Sequence, residues 1–319
     1  MKEKILKLLS ESDDYISGEK ISQTLGVTRA SVWKHIKTLK EDGYEIDGIS
    51  KKGYKLISTP DIISIFEINK YLKTNFIAKN IKYYKSLQST NLTAKENASS
   101  LNDGSVIISE IQEGGVGRFK RAWTSPAGGI WFSIILKPNI EPYLASKITI
   151  ICAAALIKTL NSMNINAFIK WPNDIYVNGK KLCGILTEMN CDMDHINYLV
   201  VGIGINANLN NDDFSDEVKD TATSIRIIQN APINRNKFLA NFFNNFEPLY
   251  KSYINTLDLS EVYSISKKYS MLINKKAYHV TVRGKEPVTC VGVNEDLELI
   301  IKDSNGNIKN VLSGEITFK

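Results

Sequence analysis

Glu-Ile-Gln-Glu-Gly-Gly-Val-Gly-Arg-Phe-Lys-Arg-Ala-Trp-Thr-Ser-Pro, residues 110–126, lies between two apolar, strand-like runs, Ser105–Ile111 and Ile130–Lys137. It packs three glycines, two arginines, a lysine and a tryptophan into one connection. Glycine lets backbone pass close to a ligand, with N–H groups free to face anionic oxygens. Arg118 and Arg121 carry forked donors suited to carboxylate or phosphate, and Trp123 offers a flat face for a purine. The stretch predicts a loop that leaves one strand, enters another, and holds a nucleotide against a second substrate. A plain solvated connection is the alternative. The dinucleotide motif G-x-G-x-x-G does not fit, because Phe119, Lys120 and Arg121 follow where small residues should open a helix. The phosphate loop G-x-x-x-x-G-K-[ST] is absent as well.

Upstream, Ile5, Leu6, Leu8 and Leu9 recur at helical spacing. Ser17-Gly18 predicts a cap for a short helix over Glu19–Leu25, and Gly26-Val27 a tight turn. Thr28 predicts the cap of a helix over Arg29–Glu41, with Val32, Ile36 and Leu39 on one face. Tyr44–Ile49 and Gly53–Ile57 read as strands joined at Ser50-Lys51-Lys52. Three helices and a basic hairpin give the order of a winged helix-turn-helix. Its candidate DNA contacts are Ser17, Thr28, Arg29, Ser31, Lys34 and Lys37 on the helices, and Lys51 and Lys52 on the wing. A solvated basic face is the alternative.

Ser58-Thr59-Pro60-Asp61 marks a linker. Beyond it the pattern predicts helices at Ile62–Leu72, Ser89–Ala98, Ser146–Leu160 and Asn234–Ser252. Strands are predicted at Ile81–Tyr84, Ala167–Lys170 and Tyr198–Ile205. Ile175–Val177 and Lys181–Met189 form a hairpin over Asn178-Gly179. Leu209–Thr221 is polar, acidic and without period, and reads as a mobile loop. From Met271, short strands with turns at Arg283-Gly284 and Asn305-Gly306 predict a small β-barrel. The expected class is α+β multidomain, with residues 1–60 as the winged helix, 61–270 as a mixed α/β core and 271–319 as the barrel.

The 319 residues are 43% hydrophobic and 23% charged, ordinary for a globular chain, and the net charge of +6 permits contact with nucleic acid without demanding it. Four cysteines without a C-x-x-C pair, and three scattered histidines, spell no zinc site and suit reduced thiols in a cytoplasm. The N-terminus lacks a signal-peptide core. The longest apolar run, around Ile148–Leu160, reads as too short to span a bilayer, so no membrane partner is expected.

Four further motifs carry chemistry. Ser89-Thr90-Asn91 sets three short polar side chains at a helix start, suited either to capping or to an uncharged polar head group. Lys170-Trp171-Pro172-Asn173-Asp174 places a lysine, an amide and a carboxylate around a proline bend. Lys181 opens Lys-Leu-Cys-Gly-Ile-Leu at 181–186, and Gly-Ile-Gly-Ile-Asn at 202–206 ends a strand in an amide. With the loop at 117–123, these motifs resemble those of biotin protein ligases. The winged helix makes the chain similar to the bifunctional members, which also repress biotin operons. The resemblance covers nearly the whole chain, with weaker support from Gly-Glu-Ile at 314–316.

The resemblance implies a core related to class II synthetase-like folds and an SH3-like terminal barrel. It implies two-step acyl transfer from biotin and ATP, with Mg2+, through biotinyl-5′-AMP to a carrier lysine. Biotin would contact Ser89, Thr90, Asn91, Gln112, Gly115, Val116, Gly117, Arg118, Lys181 and Gly184, with Gly184 leaving room for the rings. ATP or the adenylate would contact Arg118, Arg121, Trp123, Asn173, Lys181 and Asn206, the last reading the adenine edge. Arg118, Lys181 and Asp174 would be catalytic, with Asp174 also a magnesium ligand or a guide for the acceptor lysine. Lys180 competes with Lys181, and the motif Lys-Leu-x-Gly-Ile-Leu favours Lys181. Implied partners are a biotin carboxyl carrier protein or domain, operator DNA and a second copy. Biotinyl-AMP would promote that dimer by ordering the glycine-rich loop and Leu209–Thr221. The family loop usually reads Gly-Arg-Gly-Arg-x-Gly-Arg; here Val116 replaces an arginine and Lys120 a glycine, and lysine reaches φ > 0 less cheaply. The end, Thr317-Phe318-Lys319, lacks an arginine that relatives often carry. Competing readings are a lipoate-type ligase, which would want an apolar tunnel and has no winged helix, and a biotin-sensing regulator without ligase chemistry.

Overall fold

Capping side chains start the second and third helices of the N-terminal residues in the computed structural model, which describes residues 1–281 and 284–318. Arg283 of the expected Arg283-Gly284 turn and the terminal Lys319 lie outside the described residues. The chain divides into two compact units, Met1–Ile62 and Ile63–Lys319.

In the first unit, α1 (Lys2–Ser10), α2 (Gly18–Leu25) and α3 (Arg29–Glu41) precede the hairpin β1 (Glu45–Ile49) and β2 (Gly53–Ser58). Ser17 Oγ accepts from Lys20 N at 3.1 Å and Thr28 Oγ1 from Ser31 N at 3.2 Å, satisfying N–H groups that a helix start leaves open. Gly26, at φ +65°, ends α2 in the left-handed conformation. Ile5, Leu9, Ile21, Val32, Ile36 and Leu39 form the core. Gly53 is required for close approach: a Cβ there would lie 2.1 Å from Ile16 O.

The second unit begins with α4 (Ile65–Tyr71), β3 (Ile81–Leu87), α5 (Thr90–Asn97), β4 (Val106–Gln112), β5 (Ile130–Leu136) and α6 (Ser146–Asn161). It continues with β6 (Phe168–Lys170), β7 (Asp174–Val177), β8 (Lys180–Cys191), β9 (Ile196–Ile205), α7 (Ile225–Gln229), α8 (Arg235–Thr256) and α9 (Ser260–Lys268). Seven strands form one sheet in the order β3-β4-β5-β9-β8-β7-β6, parallel only between β3 and β4. Strand alternation sends Val106, Ile108, Ile130, Phe132 and Ile134 into a core with α6 and α8. Ile107, Ile135 and Val200 pack under Ala94 of α5 and its C-cap residue Ala98 on the other face.

Several expectations need correction. The first core helix starts at Ile65, not Ile62, because Ser64 caps it. Helix α8 runs on to Thr256 with Pro248 inside it. The apolar run around Ile148–Leu160 belongs to a longer helical stretch, residues 142–161, which is long and apolar enough to cross a membrane by length and composition. Most of that helix is buried in the core, Ile151 to Ile157 completely. The acidic stretch Leu209–Thr221 holds a 3-10 turn at Asn211–Asp213 with a reciprocal cap from Asn210. Its end pairs with Lys181, Lys181 N donating to Thr221 O at 2.7 Å and Thr223 N to Lys181 O at 2.9 Å.

The C-terminal strands β10 (Lys276–Thr281), β11 (Gly284–Val293), β12 (Leu299–Asp303), β13 (Ile308–Val311) and β14 (Glu315–Thr317) form a five-stranded antiparallel sheet. Its edges are β13 and β14. The sheet shares the core of the second unit, and Trp171 Nε1 donates to Leu297 O at 3.0 Å.

Candidate active site

The pocket opens where one face of the large sheet loses its side chains. On the α5 face, Trp131, Ser133 and Ile135 of β5 stand against Gly204, Gly202 and Val200 of β9. These face Gly184, Leu186 and Glu188 of β8. Large residues at one end give way to serine and glycine, and the resulting hollow is closed by the start of α5 and by the loop at 112–125. Every small-molecule site residue expected from sequence lines this one pocket, except Gly115 and Asn206.

Its deep wall is a hydrogen-bonded relay. Thr90 N and Oγ1 donate to Gln112 Oε1 at 2.8 and 3.1 Å, and Gln112 Nε2 donates to Ser125 Oγ at 2.9 Å. Ser133 Oγ lies 2.8 Å from Thr90 Oγ1 and 2.6 Å from Asn91 Oδ1. Ser133 Oγ can donate to Asn91 Oδ1 while Thr90 Oγ1 donates in turn, so each side chain of the relay finds a partner. Ser133, Thr90 and Asn91 are all buried. Asn91 Oδ1 accepts one hydrogen bond here and has a second lone pair, which suits a ligand that brings N–H groups. Ser125 and Ser133 were missed at the sequence level; for Ser133 the signal was a serine inside the apolar strand Ile130–Leu136.

The glycine-rich loop folds back as a narrow ladder. Gln112 N donates to Ser125 O, Trp123 N to Gly115 O and Gly117 N to Arg121 O, at 3.0, 2.8 and 2.8 Å. Phe119 and Lys120 turn its tip at φ +56° and +57°. Lys120 thus takes the left-handed conformation that a glycine would take more cheaply, at a cost of about 1–2 kcal/mol. Trp123 lies against the glycines of the sheet: a Cβ on Gly184 would come within 3.1 Å of its ring, and one on Gly204 within 2.5 Å of its Nε1. Gly184 lines the pocket, and the Trp123 indole lies against the space its missing side chain leaves. Gly115 is buried behind the wall, where a Cβ would meet Trp123 O at 2.5 Å. Asn206 is also displaced from its expected place. It is buried, and its Nδ2 donates to Thr223 O at 3.0 Å, so its amide holds the backbone of the following loop.

The pocket's cations come with partners. Lys181 Nζ is 2.9 Å from Asp174 Oδ1 and 5.2 Å above the Trp123 ring. Arg118 donates to Asn173 Oδ1 at 3.0 Å and to Gly314 O at 2.8 Å. Arg121 binds both oxygens of Glu315, at 2.7 and 3.0 Å. Burial pulls the Arg118 guanidinium below its ordinary pKa, against the opposing pull of Asp174 and Glu315. The hydrogen bond from Arg121 holds the Glu315 carboxyl below the usual carboxylate range. Lys170 also lines the pocket, and burial lowers its pKa. Lys180 is exposed and outside the pocket lining. Among the described residues no three His, Cys, Asp or Glu side chains cluster as a metal cage.

Residues 83–206 match the biotin/lipoate A/B protein ligase family, and residues 2–55 match an HTH domain. Over 320 residues the chain is 35% identical to the bifunctional ligase/repressor BirA of Bacillus spizizenii, covering 99% of this chain and 98% of that one. The chain belongs to the bifunctional ligase/repressor BirA family. The BirA of Escherichia coli is 30% identical over 205 residues, 64% of this chain and 62% of its own. Among solved structures, the biotin protein ligase from Aquifex aeolicus in complex with biotin and ATP matches with a TM-score of 0.67 and 28% identity, over 75% of this chain and 98% of that one.

In this BirA-family chain the expected DNA contacts fall into groups. Ser17, Arg29, Lys37 and Lys51 line one groove between α3 and the hairpin. Lys34 lies on another side, beside Met1, Lys2 and His35. Thr28 and Ser17 spend their oxygens on caps, and Ser31 gives its N–H to Thr28. Lys52 is exposed, 5.9 Å from the Tyr15 ring. Sequence reasoning missed Trp33, which is 59% exposed in the groove with Lys37 5.9 Å from its ring. An aromatic residue out of phase with Val32 and Ile36 was the available signal.

Proposed function

We propose that this chain activates biotin with ATP and transfers it to a lysine of a carboxyl carrier protein or domain. The observation carrying this reading is a polar wall that includes Thr90, Asn91 and Gln112 in one pocket with four cations, Arg118, Arg121, Lys170 and Lys181. A flat urea brings N–H donors to Thr90 and Asn91, as a dithiolane ring cannot, which favours biotin over lipoate. A carboxylate oxygen of biotin attacks the α-phosphorus, the bond to the β-bridging oxygen breaks, and pyrophosphate leaves. The carrier ε-amine then attacks the acyl carbon, AMP departs with the electron pair, and the amine loses a proton. Arg118 and Lys181 offset repulsion between the two anions in a site shielded from water. Trp123 supplies aromatic surface for adenine. Asp174, paired with Lys181, would be the carboxylate to help hold a magnesium ion, which would neutralise phosphate charge.

Biotin-dependent exchange of pyrophosphate into ATP, followed by labelling of a carrier domain, tests the reaction against lipoate in parallel. Lys181→Ala or Arg118→Gly should each lower adenylation by about 10²–10³-fold. Exchange at wild-type rate in Lys181→Ala would reject the role of that lysine. Arg118→Gly should also release the adenylate and label bystander lysines. The first unit would bind operator DNA, as a dimer promoted by biotinyl-AMP. Sedimentation with and without the adenylate tests the dimer, and a gel shift tests the DNA.

A further inference from the structure

We propose that Glu188 is a positioning residue for head-group recognition: it determines which way round the Asn91 amide sits in the pocket wall. The inference rests on the biotin reading above. Glu188 does not line the pocket, whereas Asn91 does. From β8, Glu188 Oε2 accepts from Asn91 Nδ2 at 2.8 Å, and its Oε1 accepts from Lys95 Nζ at 2.9 Å. An ionised carboxylate only accepts hydrogen bonds. Asn91 must therefore turn its NH2 toward Glu188, which leaves Oδ1 against Ser133 Oγ at the pocket wall. Gly202 lets the amide seat this deeply, since a Cβ there would lie 2.1 Å from Asn91 Oδ1.

A reversed Asn91 would present N–H groups to a urea that also brings N–H groups, so one hydrogen bond is replaced by a clash of donors. The charge of Glu188 opposes that reversal at 2.8 Å, with a longer contact from the same NH2 to Leu186 O at 3.5 Å acting in the same sense. In Glu188→Gln, Lys95 has no lone pair to offer and takes the new carbonyl. The remaining NH2 then faces Asn91 and drives its amide round. Adding Lys95→Met releases the glutamine carbonyl to accept from Asn91 again, which restores the original orientation.

The test is steady-state adenylation by the full-length protein, with biotin and ATP varied separately and thermal melting run on each variant. Losing one well-placed hydrogen bond corresponds to about a tenfold rise in the biotin KM of Glu188→Gln. Its kcat and ATP KM should stay at wild-type values, the pattern of lost ground-state binding. Glu188→Gln/Lys95→Met should recover most of the loss, and Lys95→Met alone should match wild type. An unchanged biotin KM in Glu188→Gln would overturn the proposal, and so would an equal rise in ATP KM or no recovery in the double variant. Absence of biotin-dependent exchange in the wild type would instead overturn the biotin reading itself.

Discussion

Gly202, Gly204 and Gly184 make different demands on the same face of the sheet. A Cβ on Gly202 would stand 2.1 Å from Asn91 Oδ1, one on Gly204 2.5 Å from Trp123 Nε1, and one on Gly184 3.1 Å from the Trp123 ring. Overpacking of the first kind costs about 1–3 kcal/mol. Gly202→Ala should thus raise the biotin KM by about ten- to hundredfold, while Gly184→Ala shifts it far less; separate biotin titrations distinguish them. Much of this pocket was legible before any geometry, because Ser89-Thr90-Asn91, Lys181 and the loop arginines are polar groups at element ends. Ser133 and Glu188 were not, since alternation gives the face of a strand but not the partner across it. Asn206 was misread for a related reason: an amide at a strand end can equally serve the backbone beside it.

At the scale of elements, local chemistry was the readable part. Ser17, Thr28 and Ser89 each cap a helix start, as expected from their types. Asn178 and Gly179, at φ +51° and +78°, close the hairpin that brings Lys181 opposite Tyr176. Nothing lies within 4 Å of a Cβ on Gly179, so Gly179→Ala meets only backbone strain. It should lower unfolding free energy by about 1 kcal/mol in urea melts and leave adenylation kinetics near wild type. Helix α7 escaped the sequence reading because five residues carry too little periodicity. The sheet order escaped because β5 pairs with β9 about seventy residues away, a contact that no local window contains.

At the scale of the whole second unit, Glu247 ties distant parts of the chain together. Its carboxylate on α8 accepts from Asn75 N, Phe76 N and Ile77 N at 2.7, 3.0 and 2.9 Å. Burial by itself would raise its pKa, yet the three N–H donors and Lys251 hold it below the usual value. A folded-state value below the unfolded one gives stabilisation that is complete above the unfolded value and is lost as pH falls through the folded one. Glu247→Gln should cost about 2–3 kcal/mol at neutral pH and flatten the acid limb of the melting profile, seen by calorimetry across a pH series. The paired cations of the pocket carry a different large-scale consequence. Asp174 and Glu315 already neutralise Lys181 and Arg121, two of the four pocket cations, so incoming phosphate exchanges in part with internal carboxylates and frees fewer ions from solution than four bare cations would. Nucleotide affinity should therefore change little between low and moderate ionic strength, while operator affinity falls steeply as counterions condensed on DNA are released. Half of the pocket's cations are thus preloaded with internal anions, and salt would loosen the protein's hold on DNA before its hold on ATP.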